Sequence, residues 1–126
     1  MSKYFIDKLS LEDRKAPETE RQARLSPDIS GVWSYSGTCP YGFSNVPVQG
    51  EFHMRRVGDS QYMGQAYSSL GLTGQFQSTV SGNVVRSDIR WSDASFEVAN
   101  GQLSSDGRVM EITDTAGCQT RAFLTN

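Results

Sequence analysis

The chain has 126 residues, with 12 basic and 14 acidic side chains and a formal net charge of −2. That length allows one core rather than two, and the slightly acidic balance excludes nucleic acid, whose phosphates need Lys and Arg gathered on one face. No apolar run approaches the ~20 residues of a membrane-spanning helix.

Residues 1–28 carry 12 of the 26 charged side chains, show no β-like alternation, and are punctuated by Pro17 and Pro27. They read as an N-terminal tail, with Ser26-Pro27-Asp28 as the hinge into a globular domain over residues 29–126. Within the tail, Tyr4, Phe5, Ile6, Leu9 and Leu11 form an apolar cluster, and Pro17 to Leu25 suit a short helix with Pro in its first turn. Two folded uses fit such a segment, a lid over the domain or a docking element for a protein partner; plain disorder is the third. The first residues, Met1 to Lys8, lack the apolar stretch of a secretory signal, which makes the cytoplasm the expected location.

From Gly31 onward the pattern changes. Gly31-Val32-Trp33-Ser34-Tyr35-Ser36 opens a series of short alternating runs. Over 46–55, Val46, Val48, Phe52 and Met54 take one face, and Gln49, Glu51, His53 and Arg55 take the other. Further strands are predicted over 62–68, 72–80, 84–91, 95–103, 108–113 and 118–124. The turns between them fall at 58–60, 69–71, 81–83, 92–94, 105–107 and 115–117, each rich in Ser, Asp, Gly, Asn or Ala. Short strands at this spacing indicate an antiparallel all-β sandwich or barrel. The links are too short for parallel crossovers. Eight strands joined by hairpins close as an up-and-down barrel, which removes exposed edges. An immunoglobulin-type sandwich is disfavoured, because Cys39, Trp91 and Cys118 lack the spacing it requires.

Gly31-Val32-Trp33 on the first strand resembles the Gly-X-Trp that opens lipocalins and, more loosely, avidins and fatty-acid-binding proteins, the calycin-like barrels. That resemblance implies a basic residue on or after the last strand packed against the first-strand Trp, and Arg121 stands at that place. The chain is shorter than a lipocalin and has no helix after the last strand.

Cys39 follows the predicted first strand and Cys118 begins the last, and in a closed barrel those strands are neighbours. A disulfide there fits the geometry and would staple the seam; a cytoplasmic location argues for free thiols. A native bond would reopen the question of export.

Conventional catalytic chemistry finds little purchase. The single imidazole, His53, falls by parity on the wet face with Glu51 and Arg55, away from a nucleophile or orienter. Neither a metal nor another cofactor is indicated, for no ligand spacing or phosphate loop occurs. Asp88, Glu97 and Glu111 sit beside the inward candidates Ile89, Phe96 and Met110, and so are expected to point outward.

Aromatic surface is what the interior owns. Trp33, Tyr35, Phe52, Met54, Tyr62, Phe76, Trp91 and Phe96 are the candidate ligand-binding residues, with Val98 also inward. Small inward residues at Gly50, Gly64, Ala66, Ser68, Gly74 and Ser87 leave room that the large ones need not fill. The interior of such a barrel is either packed or holds one small ligand. The leading expectation is non-enzymatic binding of a small apolar or aromatic molecule. A natural-product cyclase, working by holding a reactive conformer with Tyr35, Tyr62 and Gln65 to polarise a carbonyl, is the enzymatic alternative. A protein-interaction adaptor, inhibitor or accessory subunit is the third.

Overall fold

The structure, a computed structural model, describes residues 27–125. Eight strands follow in chain order: β1 (Gly31–Tyr41), β2 (Ser44–Arg56), β3 (Gln61–Ser68), β4 (Thr73–Ser81), β5 (Val84–Trp91), β6 (Phe96–Leu103), β7 (Val109–Asp114) and β8 (Gln119–Leu124). Each pairs antiparallel with its sequence neighbour, and β8 pairs with β1 from Trp33↔Leu124 to Thr38↔Gln119, which closes the barrel. The all-β, eight-stranded up-and-down architecture is the one the alternation predicts. Among the described residues no helix is long and apolar enough to cross a membrane. The tail expected over residues 1–28 lies outside the described residues except for its last two.

Strand limits agree with the pattern except in β1, which runs five residues past Ser36 to Tyr41. Gly37 and Pro40 look like turn residues, yet Gly37 pairs with both Val48 and Thr120. Pro40 lies beyond the last β8 pair, where the strand has one neighbour and can dispense with a ladder N–H.

The core gathers toward one end. There Ile29 and Trp33 are fully buried, and Tyr62, Val80, Val85, Leu103 and Met110 pack with them. Residues 27–30 cross under this end. The Ile29 amide donates to Tyr62 Oη at 3.2 Å, and Trp33 Nε1 donates to the Ile29 carbonyl at 2.9 Å. One residue therefore plugs the barrel, and its backbone satisfies two buried aromatic polar atoms. Farther in, the hydroxyls of Ser78 and Ser87 bond each other at 2.6 Å, so these buried groups are also satisfied.

Candidate ligand-binding site

Above that plug, the interior holds a cavity of about 260 Å³ that reaches solvent at the opposite end of the barrel, between the exposed rim residues Pro40, Leu70 and Ala116. Its floor includes Met54, Val85 and Met110. Of the eight side chains expected to face a ligand, Tyr35, Phe52, Met54, Phe76 and Trp91 line it. Phe52 organises the wall: it stacks on Trp33 (centroids 5.8 Å apart, 7° between planes) and meets Phe76 edge-on (5.9 Å, 88°). Trp33 and Tyr62 belong instead to the plug.

Phe96 departs from expectation and points outward, 53% exposed, with the Arg90 guanidinium 5.7 Å from its ring centroid. The pairing explains why. Phe96 sits opposite Arg90 and Glu97 opposite Ile89, so Glu97 shares the inward face and Phe96 and Val98 share the wet one. The second half of β6 fixes this choice. Phe96 inside would carry Asn100 and Gln102 inside with it, whereas the observed register buries Ala99, Gly101 and Leu103.

The spaces opposite the glycines are occupied as well. A Cβ on Gly64 would lie 2.7 Å from Phe76 Cζ, and one on Gly74 would lie 2.9 Å from Trp91 Cε3. These glycines make room for cross-strand aromatic rings, and the cavity lies elsewhere, bordered by Ala66, Ser68, Ser87 and Ala99.

Its charged groups lie at the mouth. Glu97 at the start of β6 and Asp114 at the end of β7 both line the cavity. Burial pushes the Glu97 carboxyl above its ordinary range; the Asp114 charge pushes the same way, and the Trp91 indole N–H opposes them in part. That N–H is close enough to be felt, yet Trp91 Nε1 is buried without an acceptor in hydrogen-bonding geometry. Asp114 Oδ1 accepts the amides of Ala116 and Cys118, each at 3.0 Å, which fixes its carboxylate at the rim. Across the mouth, Tyr35 Oη donates to the Tyr67 carbonyl at 3.0 Å, and burial raises its phenol above the usual range. Parity with Met110 and Ile112 was the sequence signal for an inward Asp114; for Glu97 the signal was the Asn100 and Gln102 of its own strand.

At the same rim Cys39 and Cys118 form a disulfide between residues 79 apart, joining the end of β1 to the start of β8. Both border the cavity. On the outer face, His53 meets Glu51 at 3.1 Å with both side chains about half exposed, as parity expects. Arg121 pairs with Glu111 on the outer face. It therefore lies across the wall from the Trp33 indole, and the contact implied by the lipocalin resemblance is not made. Gln65 also faces out, accepting from Tyr67 Oη at 2.7 Å, so of Tyr35, Tyr62 and Gln65 only Tyr35 borders the cavity. Among the described residues no group of three or more His, Cys, Asp or Glu gathers as a metal site.

No family model matches the chain, and no curated protein matches it. Solved structures do. One is a redesigned β-barrel, with a TM-score of 0.58 and 17% identity over 78% of this chain and 90% of that one. Another is the redesigned barrel mFAP1 bound to DFHBI, with a TM-score of 0.53 and 20% identity over 78% of this chain and 94% of that one. The redesigned barrel mFAP0, also bound to DFHBI, gives 0.53 and 19% over 78% and 98%. At these identities the likeness is one of fold.

Proposed function

We propose that this barrel binds one small apolar or aromatic molecule in the cavity above the Trp33 plug, in the manner of calycin-like barrels. The observation that carries the reading is the cavity itself: about 260 Å³, apolar, walled by Tyr35, Phe52, Phe76 and Trp91, and blocked at one end only. Two barrels of similar fold are bound to DFHBI, which adds support. Trp33 at the plugged end fits the Gly-X-Trp resemblance, although Arg121 does not. Tyr35, Phe52, Met54, Phe76 and Trp91 are the proposed ligand contacts. The Cys39–Cys118 bond favours an oxidising compartment over the cytoplasm for this activity.

Titration with a fluorescent apolar probe, read by energy transfer from Trp33 and Trp91, tests the reading. Saturable binding at one site, weakened by Phe76→Ala or by filling the cavity with Ala99→Leu, is expected. Absence of saturable binding by the folded protein would reject it.

One observation favours a second reading, the cyclase. Glu97 gives the cavity an acid whose pKa is raised by burial, a group able to hydrogen-bond a substrate carbonyl while protonated. This reading expects a linear diene–dienophile compound to convert to an isomer of equal mass, with the rate lost in Glu97→Gln. Equal conversion with and without protein would remove it.

A further inference from the structure

We infer that the molecule taken up by this cavity carries a protonated amine on its apolar or aromatic body, with the nitrogen seated at Glu97 and Asp114. The inference rests on the ligand-binding reading above and narrows it to a chemical class.

Three features of the mouth converge on a cation. The cavity is mostly apolar, and its charged groups lie at this end, where two carboxylates from adjacent strands, β6 and β7, enter it together. No Lys, Arg or His among the described residues borders the cavity, so neither carboxylate has a cationic partner inside it. An anionic ligand is repelled there, and a neutral one brings the negative charge no counter-charge. An ammonium compensates it through charge-assisted hydrogen bonds. The aromatic rings of Trp91 and Tyr35 also line the cavity, and a ring face turned to the nitrogen would add the attraction of its quadrupole for a cation.

The Trp91 indole offers a ligand a second polar contact at the mouth. Trp91 Nε1 is buried beside Glu97 with no acceptor in hydrogen-bonding geometry, whereas the buried indole at the other end, Trp33, donates to Ile29. An acceptor on the ligand body next to its amine completes that donor. A metal ion is a poorer occupant, for among the described residues the two carboxylates are joined by no third ligating side chain.

Proton linkage follows from the groups that face Glu97: Asp114 from β7, Tyr35 from β1, and Asp93 from the β5–β6 turn, all acidic. Burial and the Asp114 charge hold a proton on Glu97 at pH values where an exposed glutamate has lost it. An ammonium seated there displaces that proton. Its affinity therefore falls as the pH drops through the raised Glu97 pKa, while that of a neutral analogue does not.

Three probes with one aromatic body decide the matter: 1-naphthylmethylamine, 1-naphthalenemethanol and 1-naphthoate, titrated into the full-length oxidised protein by calorimetry. The amine should bind about tenfold or more tighter than the alcohol at pH 7.5, with the carboxylate weakest. In Glu97→Gln, isosteric and uncharged, the amine should lose that advantage while the alcohol binds as before. Wild-type amine binding should weaken as the pH is lowered from 7.5, with a matching proton release. Equal affinity for amine and alcohol, or an advantage that survives both Glu97→Gln and acidification, overturns the amine inference and leaves the cavity reading standing. Failure of all three probes, with near-ultraviolet circular dichroism showing a folded barrel, removes both.

Discussion

At the plugged end, Ile29, Trp33 and Tyr62 are at most 2% exposed, and the Tyr62 hydroxyl and Trp33 indole are both bonded to the backbone of Ile29. At the open end a second tryptophan, Trp91, has a buried N–H with no acceptor in hydrogen-bonding geometry, and Glu97 sits in apolar surroundings next to another carboxylate. The turn below these residues contains Ala94 in the left-handed region at φ 73°, an unfavourable conformation for a residue with a Cβ. The same strands thus carry a satisfied end and an unsatisfied one. Packing is tightest where the chain crosses under the barrel, and the mouth keeps space and like charges that a packed core would have eliminated.

The largest effect expected from this difference is at the plug. Trp33→Ala removes a fully buried ring, its stack on Phe52 and the bond to Ile29, a loss of about 3–5 kcal/mol. Leu70→Ala at the rim, where Leu70 is 53% exposed, should change stability by about 0.5 kcal/mol or less. Urea unfolding of both variants gives the contrast directly. A Trp33→Ala midpoint close to that of wild type would mean that the plug is not the stabilising end.

Next in size is the disulfide. A cross-link between residues 79 apart contributes about 4 kcal/mol on chain-entropy grounds. It sits at the mouth, beside the cavity. Reduction, or Cys39→Ser with Cys118→Ser, should lower the unfolding midpoint and loosen the β1–β8 seam beside the cavity. Amide exchange should then rise around Thr38 and Gln119 and remain slow at Trp33. Uniform acceleration along β1 would instead make the seam one cooperative unit and erase the distinction between the ends.

Sequence pattern conveyed the barrel well because strands with one wet face must alternate, and seven of the eight runs have limits within two residues of those observed. It conveyed the plugged end only in part: Trp33 and Tyr62 face inward as expected, but nothing in the alternation says that Ile29 will fold beneath them. The mouth was the least legible region. Phe96 next to Glu97 invites burial of the aromatic ring, and hydropathy at those two positions outvotes the weaker signal of Asn100 and Gln102. Register is a property of the whole strand, so the far half of β6 overrules its first two residues. The glycines misled for a related reason. Alternation places Gly64 and Gly74 inside, but only the cross-strand partners show that Phe76 and Trp91 fill the space above them.

The smallest expected effect is electrostatic, and it sets Glu97 apart from the turn carboxylates by pH. Asp28, Asp93 and Asp106 have lowered pKa values because their carboxylates accept hydrogen bonds from nearby amides and from Ser30, Ser95 and Ser104. Such groups add stability above their unfolded pKa that is lost as pH falls through the folded one. Glu97 behaves in the opposite sense. Its folded pKa is raised by burial first and by Asp114 second, so its contribution is full below the unfolded value and is lost as pH rises through the folded one. Glu97→Gln removes that loss. The variant should match wild type near pH 4 and exceed it at pH 8, by less than about 1 kcal/mol because solvent reaches the mouth and screens the charge. Denaturant titrations at the two pH values test this. A variant less stable than wild type at pH 8 would show that the Glu97 carboxylate is compensated in the empty barrel, and the open end would then be as complete as the plugged one. A gain confined to the alkaline side would instead identify the charge at the mouth as a standing cost in the unliganded protein, one that a cationic ligand removes on binding.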